Sequence, residues 1–204
     1  RIPPAPQQHA LEAMMSFATA IGADERPLRW DLPLSADARA YAAEHTGEGL
    51  RTVVISPCSS QRSRNYRNWS VGNFEAIVRH LREVHGSHVL ITGGPSELER
   101  EYGQALGADG KPGVENLVGR SSLKQLAALI SAADLVICPD SGPAHIASAV
   151  GTAVIGLYAT SNPQRTGPYA SRELTINRYP DAARRFLGKE VDELRWGQRV
   201  RNAS

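Results

Sequence analysis

Asp134-Leu135-Val136-Ile137-Cys138-Pro139-Asp140-Ser141-Gly142-Pro143-Ala144-His145 is the stretch whose reading decides the fold. The run from Asp134 to Cys138 reads as apolar on both faces, as an interior strand of a parallel sheet requires. Pro139 stops it. Pro143 suits the first helical position, where no N–H donor is needed, and Ile146, Ala149 and Val150 follow on one helical face until Gly151 ends the helix. A strand that ends in a small-residue turn and opens into a helix leaves backbone N–H groups unpaired and aimed at one spot, where an anion can sit. Taken alone, the stretch also fits a tight connection with no ligand, so the flanking chain has to decide.

Outward from this point, β-branched runs alternate with amphipathic helices. Thr52-Val53-Val54-Ile55-Ser56 is followed by Phe74, Ile77, Val78, Leu81 and Val84 at helical spacing, then by His88-Val89-Leu90-Ile91-Thr92. A helix near residues 97–106, a short strand at Asn116-Leu117-Val118, a helix from Leu123 to Ala132 and strands at 134–138 and 153–158 continue the pattern. Strict alternation implies a parallel sheet with right-handed crossovers, so residues 51–178 are expected to form a Rossmann-like doubly wound α/β domain. Ligands of such sheets bind outside the carboxyl ends of the strands.

The turns at those ends carry the candidate site. Pro57-Cys58-Ser59-Ser60 precedes a basic stretch with Arg62, Arg64 and Arg67 and then Trp69. Hydroxyls and backbone N–H groups next to an arginine fork suit a diphosphate, although a solvated basic loop has the same composition. In Gly93-Gly94-Pro95-Ser96-Glu97-Leu98-Glu99, Ser96 and Glu99 fit a capping box, which leaves Glu97 over. Glu97 has two readings: an acceptor for ribose hydroxyls, or a charge that complements the helix amino end. Gly119-Arg120-Ser121-Ser122 leads into a second capping box, Ser122 with Gln125. Single turns of this kind are unspecific; four on one sheet edge are not.

The 204 residues supply 41% hydrophobic side chains, enough for the core of one large domain with flanking segments. A formal charge of +2 gives no nucleic-acid footprint, and no apolar run approaches the roughly 20 residues of a membrane span. Cys58 and Cys138 read as small buried thiols at strand ends, and a reducing cytoplasm with no disulfide and no metal is expected. Residues 8–21 carry Leu11, Met14, Met15, Ala18 and Ile21 at helical spacing with Gly22 placed to end the helix. Residues 24–33 read as a linker, and Ser35 as the cap of a second helix running towards His45. Residues 1–50 are thus a helical connecting segment and 179–204 a carboxyl-terminal helical extension. Arg1 is not Met and no signal pattern follows, so the chain reads as excised from a longer protein. A strand-proximal G-x-G-x-x-G, a P-loop and a G-x-S-x-G elbow are all missing, against dinucleotide oxidoreductases, P-loop nucleotidases and α/β-hydrolases.

With these motifs in order, the chain resembles glycosyltransferase family 9, the ADP-heptose:lipopolysaccharide heptosyltransferases, in their carboxyl-terminal donor-binding half. The resemblance runs from Ser56 to about Tyr169. It rests on the serine turn with a basic residue ahead of Trp69, the Gly-Gly-Pro turn, Asn116-Leu117-Val118-Gly119 leading to Ser122-Leu123, the Asp140–His145 block, and Asn162-Pro163 with Arg165-Thr166-Gly167-Pro168-Tyr169. Two departures stand out. Arg67-Asn68-Trp69-Ser70 occupies a place where lysine before the tryptophan and proline after it are common, and Pro57-Cys58-Ser59-Ser60 one where a Gly-Ala pair is frequent.

The resemblance implies one Rossmann-like half of a GT-B enzyme that transfers heptose or a similar sugar from an ADP-sugar to a lipopolysaccharide core acceptor with inversion. It puts diphosphate contacts on Ser59, Ser60 and Asp140-Ser141-Gly142, the basic contact on Arg67, the acidic nucleotide contact on Glu97 and the adenine border at Arg120–Ser121. Arg67, Asp140 and His145 would face the leaving group or the donor sugar. The donor is a substrate, and no cofactor or metal is implied. The base, an aspartate in this family, and the acceptor surface would lie in an amino-terminal half, and the enzyme would work in the cytoplasm, peripheral to the inner face of the inner membrane. The Met14 and Met15 helix would pack near that half, and its exposure would favour self-association. Two rival readings are a noncatalytic nucleotide-sugar binding module and half of a sugar-nucleotide epimerase. Arg67→Ala is expected to weaken ADP binding more than Arg62→Ala, because a charged hydrogen bond is worth roughly 1.5–3 kcal/mol. Equal effects in a calorimetric titration would reduce the basic stretch to general charge.

Overall fold

The computed structural model describes residues 7–23, 28–47, 49–59, 66–107 and 112–201. Among these residues the sheet has β1 (Thr52–Ile55), β2 (His88–Ile91), β3 (Val114–Asn116), β4 (Leu135–Pro139), β5 (Ala153–Tyr158) and β6 (Ile176–Asn177). All the pairings are parallel and the spatial order is β3-β2-β1-β4-β5-β6. The chain thus starts at the middle of the sheet, winds outward through β2 and β3, returns beside β1 and winds the other way. That reversal makes the β1/β4 boundary the topological switch point, where ligands of open α/β sheets bind.

The helices are α1 (Ala10–Ala20), α2 (Ala36–His45), α3 (Val71–Glu83), α4 (Glu97–Gly107), α5 (Leu123–Ala132), α6 (Gly142–Val150), α7 (Pro163–Thr166) and α8 (Tyr179–Leu187). Alternation along the strands divides the core in two. Val54, Leu90, Val136, Cys138 and Val154 face one side and meet Ala38 and Ala42 of α2, Leu129 of α5 and Ala147 of α6. Val53, Ile55, Val89, Ile91 and Ile137 face the other and meet Phe74 and Val78 of α3 and Tyr102 and Leu106 of α4. The central strands are therefore apolar on both faces from Val53 to Ile55, Val89 to Ile91 and Leu135 to Cys138, which is why they read as continuous hydrophobic runs. A smaller cluster joins Tyr179, Ala182 and Ala183 of α8 to Leu194 and Val200.

Local signals account for most boundaries. Ser35 caps α2 by accepting the Ala38 N–H, and Ser122 with Gln125 forms the expected capping box of α5. Gly151 closes α6 at φ 84°, in the left-handed region that a side chain would disfavour. Several details differ from the sequence expectation. Pro139 is the last paired residue of β4, opposite Leu157, because a terminal strand position needs no N–H from it. Ser141 is the N-cap of α6, so Pro143 stands second in the helix, and the buried face is Ala144, Ala147 and Ser148, with Ile146, Ala149 and Val150 half-buried. β3 lies two residues earlier than expected, because the Asn116 carboxamide accepts the Val118 N–H and turns the chain. The 3-10 turn Tyr169–Leu174 and the two-residue β6 carried no clear sequence signal. At the amino end, α1 leaves Met14, Met15, Phe17 and Ile21 exposed. No helix among the described residues is long and apolar enough to cross a membrane.

Leu90 is completely buried at the centre of one core, whereas Leu123 is 72% exposed. Leu90→Ala is expected to lower unfolding free energy by about 2–5 kcal/mol, and Leu123→Ala to stay within about 0.5 kcal/mol of the parent in urea denaturation.

Candidate functional site

Parallel pairing brings the carboxyl ends of β1 to β4 to one edge, and cross-strand bonds hold their turns in place. The Ser56 N–H donates to the Ile137 carbonyl at 3.0 Å, and the Thr92 N–H to that of Ile55 at 2.9 Å. The buried Ser56 and Thr92 hydroxyls meet at 2.7 Å. Beside them the Gly119 N–H donates to Gly93 O at 2.9 Å, tying the β3 turn to the β2 turn. A cleft of about 340 Å³ opens above these ends, bordered by Ser59, Gly94, Glu99, Ser121, Ser141 and Gly142 among others.

Each wall has a local cause. Ser141 adopts an extended N-cap conformation, but its hydroxyl donates backward to the Pro139 carbonyl at 3.0 Å and makes no side-chain cap bond. The amino end of α6 therefore faces the cleft with positive helix-dipole character. On the opposite wall, the Glu99 carboxylate accepts the Gly94 N–H at 2.8 Å and the Ser96 hydroxyl. The Ser96 hydroxyl in turn accepts the Glu99 N–H, as capping predicts. A Cβ on Gly94 would come to about 3.0 Å from a Glu99 oxygen, so a side chain there would press on the carboxylate that accepts the Gly94 N–H.

The segment Arg67-Asn68-Trp69 fastens three parts of this edge together. Arg67 Nη1 donates to the Asp140 carbonyl at 2.8 Å and lies 3.4 Å from an Asp140 carboxylate oxygen, with only 18% and 9% of the two side chains exposed. Asn68 Oδ1 accepts the Ser59 N–H and hydroxyl. The Trp69 carbonyl accepts the Tyr102 hydroxyl of α4 at 2.7 Å, and the indole stands edge-on to Phe74. A buried Arg–Asp pair is costly to break from one side, because the remaining charge is left uncompensated.

Of the residues singled out from sequence, Ser59, Ser121, Ser141 and Gly142 border the one cleft, and Arg67 and Asp140 stand together at the β1/β4 turns. Ser60, with Arg62 and Arg64, lies outside the described residues. Glu97 is exposed on the first turn of α4 and does not border the cleft; Glu99, two residues further along the helix, does. Helical spacing explains the exchange, since a step of two turns a side chain to the far side of the axis. His145, exposed three residues into α6, borders a separate groove of about 260 Å³ with His9, Met14, Trp30 and Tyr169. From the sequence, Glu99 stands out only as a capping partner and Asn68 only as part of the departure Arg67-Asn68-Trp69-Ser70, because its bonds to Ser59 span nine positions.

Cys58 borders the cleft and Cys138 lies inside the sheet. Burial pushes both thiols up to about 12, so they stay protonated near neutrality and act as small apolar groups.

His9 fastens α1 to the Gly167 turn. Its Nδ1 accepts the Leu11 N–H at 3.2 Å and its Nε2 donates to the Gly167 carbonyl at 3.1 Å, which requires the neutral Nε2–H tautomer. Burial first, then the neighbouring Arg172 and His145, hold its pKa below 6.5 against the opposing Gly167 bond and Glu12. With the folded value depressed, the stabilisation is present above pH 6.5 and is lost as pH falls through the folded pKa. Acidification below pH 6.5 is expected to lower the thermal midpoint before Glu12, whose pKa lies below 4.5, begins to protonate. His9→Asn, which keeps a capping side chain but cannot titrate, should flatten that part of the profile.

Residues 1–190 match the family model for glycosyltransferase family 9 (heptosyltransferase). Lipopolysaccharide core heptosyltransferase OpsX of Haemophilus influenzae is 36% identical over 193 residues, 95% of this chain and 54% of the relative. Lipopolysaccharide heptosyltransferase 3 of Escherichia coli is 30% identical over 161 residues, 76% of this chain and 45% of the relative. The chain spans about half the length of the curated relatives it matches. A glycosyltransferase family 9 structure from Veillonella parvula superposes with a TM-score of 0.69 at 23% identity, covering 86% of this chain and 50% of the other. E. coli heptosyltransferase WaaC with ADP superposes at 0.62 and 22% identity, covering 84% and 50%. The shared fold is the Rossmann-like doubly wound sheet expected from the sequence, of the kind that forms one half of a GT-B glycosyltransferase.

Proposed function

The chain belongs to glycosyltransferase family 9, the heptosyltransferases, and from that premise we propose that it is the carboxyl-terminal, donor-binding half of an inverting transferase acting on lipopolysaccharide core. The observation that carries this reading is the single cleft where the β1 and β4 turns meet the amino end of α6, with Arg67 fastened alongside. The solved WaaC relative holds ADP, and OpsX is a core heptosyltransferase, which supports an ADP-sugar donor carrying heptose or a similar sugar. In this assignment, residues 51–178 are the nucleotide-sugar-binding domain between a connecting segment and a carboxyl-terminal extension.

The diphosphate sits at Ser59 and the Ser141-Gly142 turn, where the amino end of α6 and its dipole favour negative charge. The nucleoside extends towards Ser121 and Glu99, the carboxylate that borders the cleft. Inversion requires the acceptor hydroxyl oxygen to form its bond to the anomeric carbon as the carbon–oxygen bond to the diphosphate breaks on the opposite face. The bonding pair leaves with ADP, and a base takes the hydroxyl proton. Arg67 and the α6 amino end stabilise the charge that grows on the departing diphosphate. These groups suit a transferase that uses no metal. The base and the acceptor surface are assigned to the other half of the enzyme, where the family carries an aspartate. The enzyme is placed in the cytoplasm, peripheral to the inner face of the inner membrane, where its acceptor is assembled.

The 204-residue chain alone is expected to bind ADP weakly and to transfer nothing, since the facing wall that would orient the acceptor and supply the base is assigned elsewhere. Calorimetry with ADP and incubation with ADP-heptose and a heptose-deficient core acceptor check this. Absence of ADP binding would overturn the donor-half reading, and acceptor-dependent ADP release would overturn the division of labour.

A further inference from the structure

One side-chain oxygen at the β1 turn holds two donors from a single residue. Asn68 Oδ1 accepts the Ser59 N–H at 2.9 Å and the Ser59 hydroxyl at 3.1 Å. A backbone N–H can only donate, so the carboxamide orientation follows from the bond itself: the carbonyl oxygen faces Ser59. We propose that Asn68 is an internal stand-in for a phosphate oxygen of the donor, and that ADP binds by displacing it from Ser59. The inference rests on Ser59 as a diphosphate contact, the role assigned to it above.

The N–H and O–H of a serine at a strand end are the donors such a turn offers an anion. Here both are spent on one neutral oxygen. Each of the two Ser59 donors has one proton, so a donor that is fully bonded to Asn68 cannot also make a full bond to a phosphate oxygen. A charged oxygen is the stronger acceptor, which drives the exchange forward when ligand is present. When the cleft is empty, Asn68 keeps the half-buried Ser59 donors satisfied, as buried polar groups require. The neighbouring bonds let this happen without unfastening the segment. Arg67 remains on the Asp140 carbonyl and the Trp69 carbonyl on the Tyr102 hydroxyl, so the chain on either side of Asn68 stays anchored through the exchange. Asn68 is thereby a determinant of affinity that acts through the cost of its own displacement.

The test compares the 204-residue chain with its Asn68→Ala and Asn68→Asp variants by calorimetric titration with ADP and with adenosine. Removing the competing acceptor should tighten ADP binding about three- to tenfold, the equivalent of one ordinary hydrogen bond, and leave adenosine unchanged. Asn68→Asp retains an acceptor for the same donors and adds negative charge, so it should weaken ADP and again leave adenosine unchanged. In the parent chain, the Asn68 side-chain amide resonances should shift on ADP saturation, a readout independent of how either variant folds. Weaker or unaltered ADP binding in Asn68→Ala, or Asn68 resonances unmoved at ADP saturation, would overturn the proposal while the donor-half reading stands. A parent chain that does not bind ADP would overturn both.

Discussion

Val53, Val54 and Ile55 of β1 are at most 3% exposed, and β1 is hydrogen-bonded to β2 on one side and β4 on the other. A strand in that position must be apolar on both faces and must be covered by helices on both, because a parallel pair needs a crossover and the crossovers supply the cover. The rest of the molecule follows from this constraint. α3 and α4 seal one face, and α2, α5 and α6 the other. Since every strand then runs the same way, four turns are delivered to one edge. The site is a by-product of how the central strand is buried.

At that edge the chain must satisfy polar groups that no strand can pair. Ser56 and Thr92 pair with each other, Ser141 turns back to Pro139, and Glu99 takes the Gly94 N–H. Arg67-Asn68-Trp69 completes the set through Asp140, Ser59 and Tyr102. Each of these bonds joins a turn to a neighbouring turn or element, so the cleft is framed before any ligand arrives. Preorganisation of this kind lowers the cost of ordering side chains on binding. Asn68 acts in the other direction at one point, because it holds donors that a phosphate would use.

Most of the fold was legible in the chain because its signals are local. Val89-Leu90-Ile91 between polar residues reads as a strand whatever it pairs with, and Ser122-x-x-Gln125 reads as a helix start whatever the helix packs on. The site was legible only in part. Ser59, Ser121, Ser141 and Gly142 border one cleft because they lie in turns that follow strands and the parallel rule brings such turns together. Glu97 and Glu99 both lie in the first turn of α4, and which of them borders the cleft is set by the rotation of that helix about its axis. His145 is close to Gly142 in sequence, yet the helix carries it round to a different groove.

The sequence by itself determined the alternation of strands and helices, the edge at which the site forms and the family resemblance, since each depends on residue type at short spacing. Tertiary structure alone decided that Arg67 rests on Asp140, that Asn68 holds Ser59 and that Glu99 borders the cleft. Those contacts join residues whose separation in the chain carries no periodicity, and their geometry is set by the packing of helices onto the sheet. Local propensity contains no term for that packing. It becomes defined only when the two cores are filled.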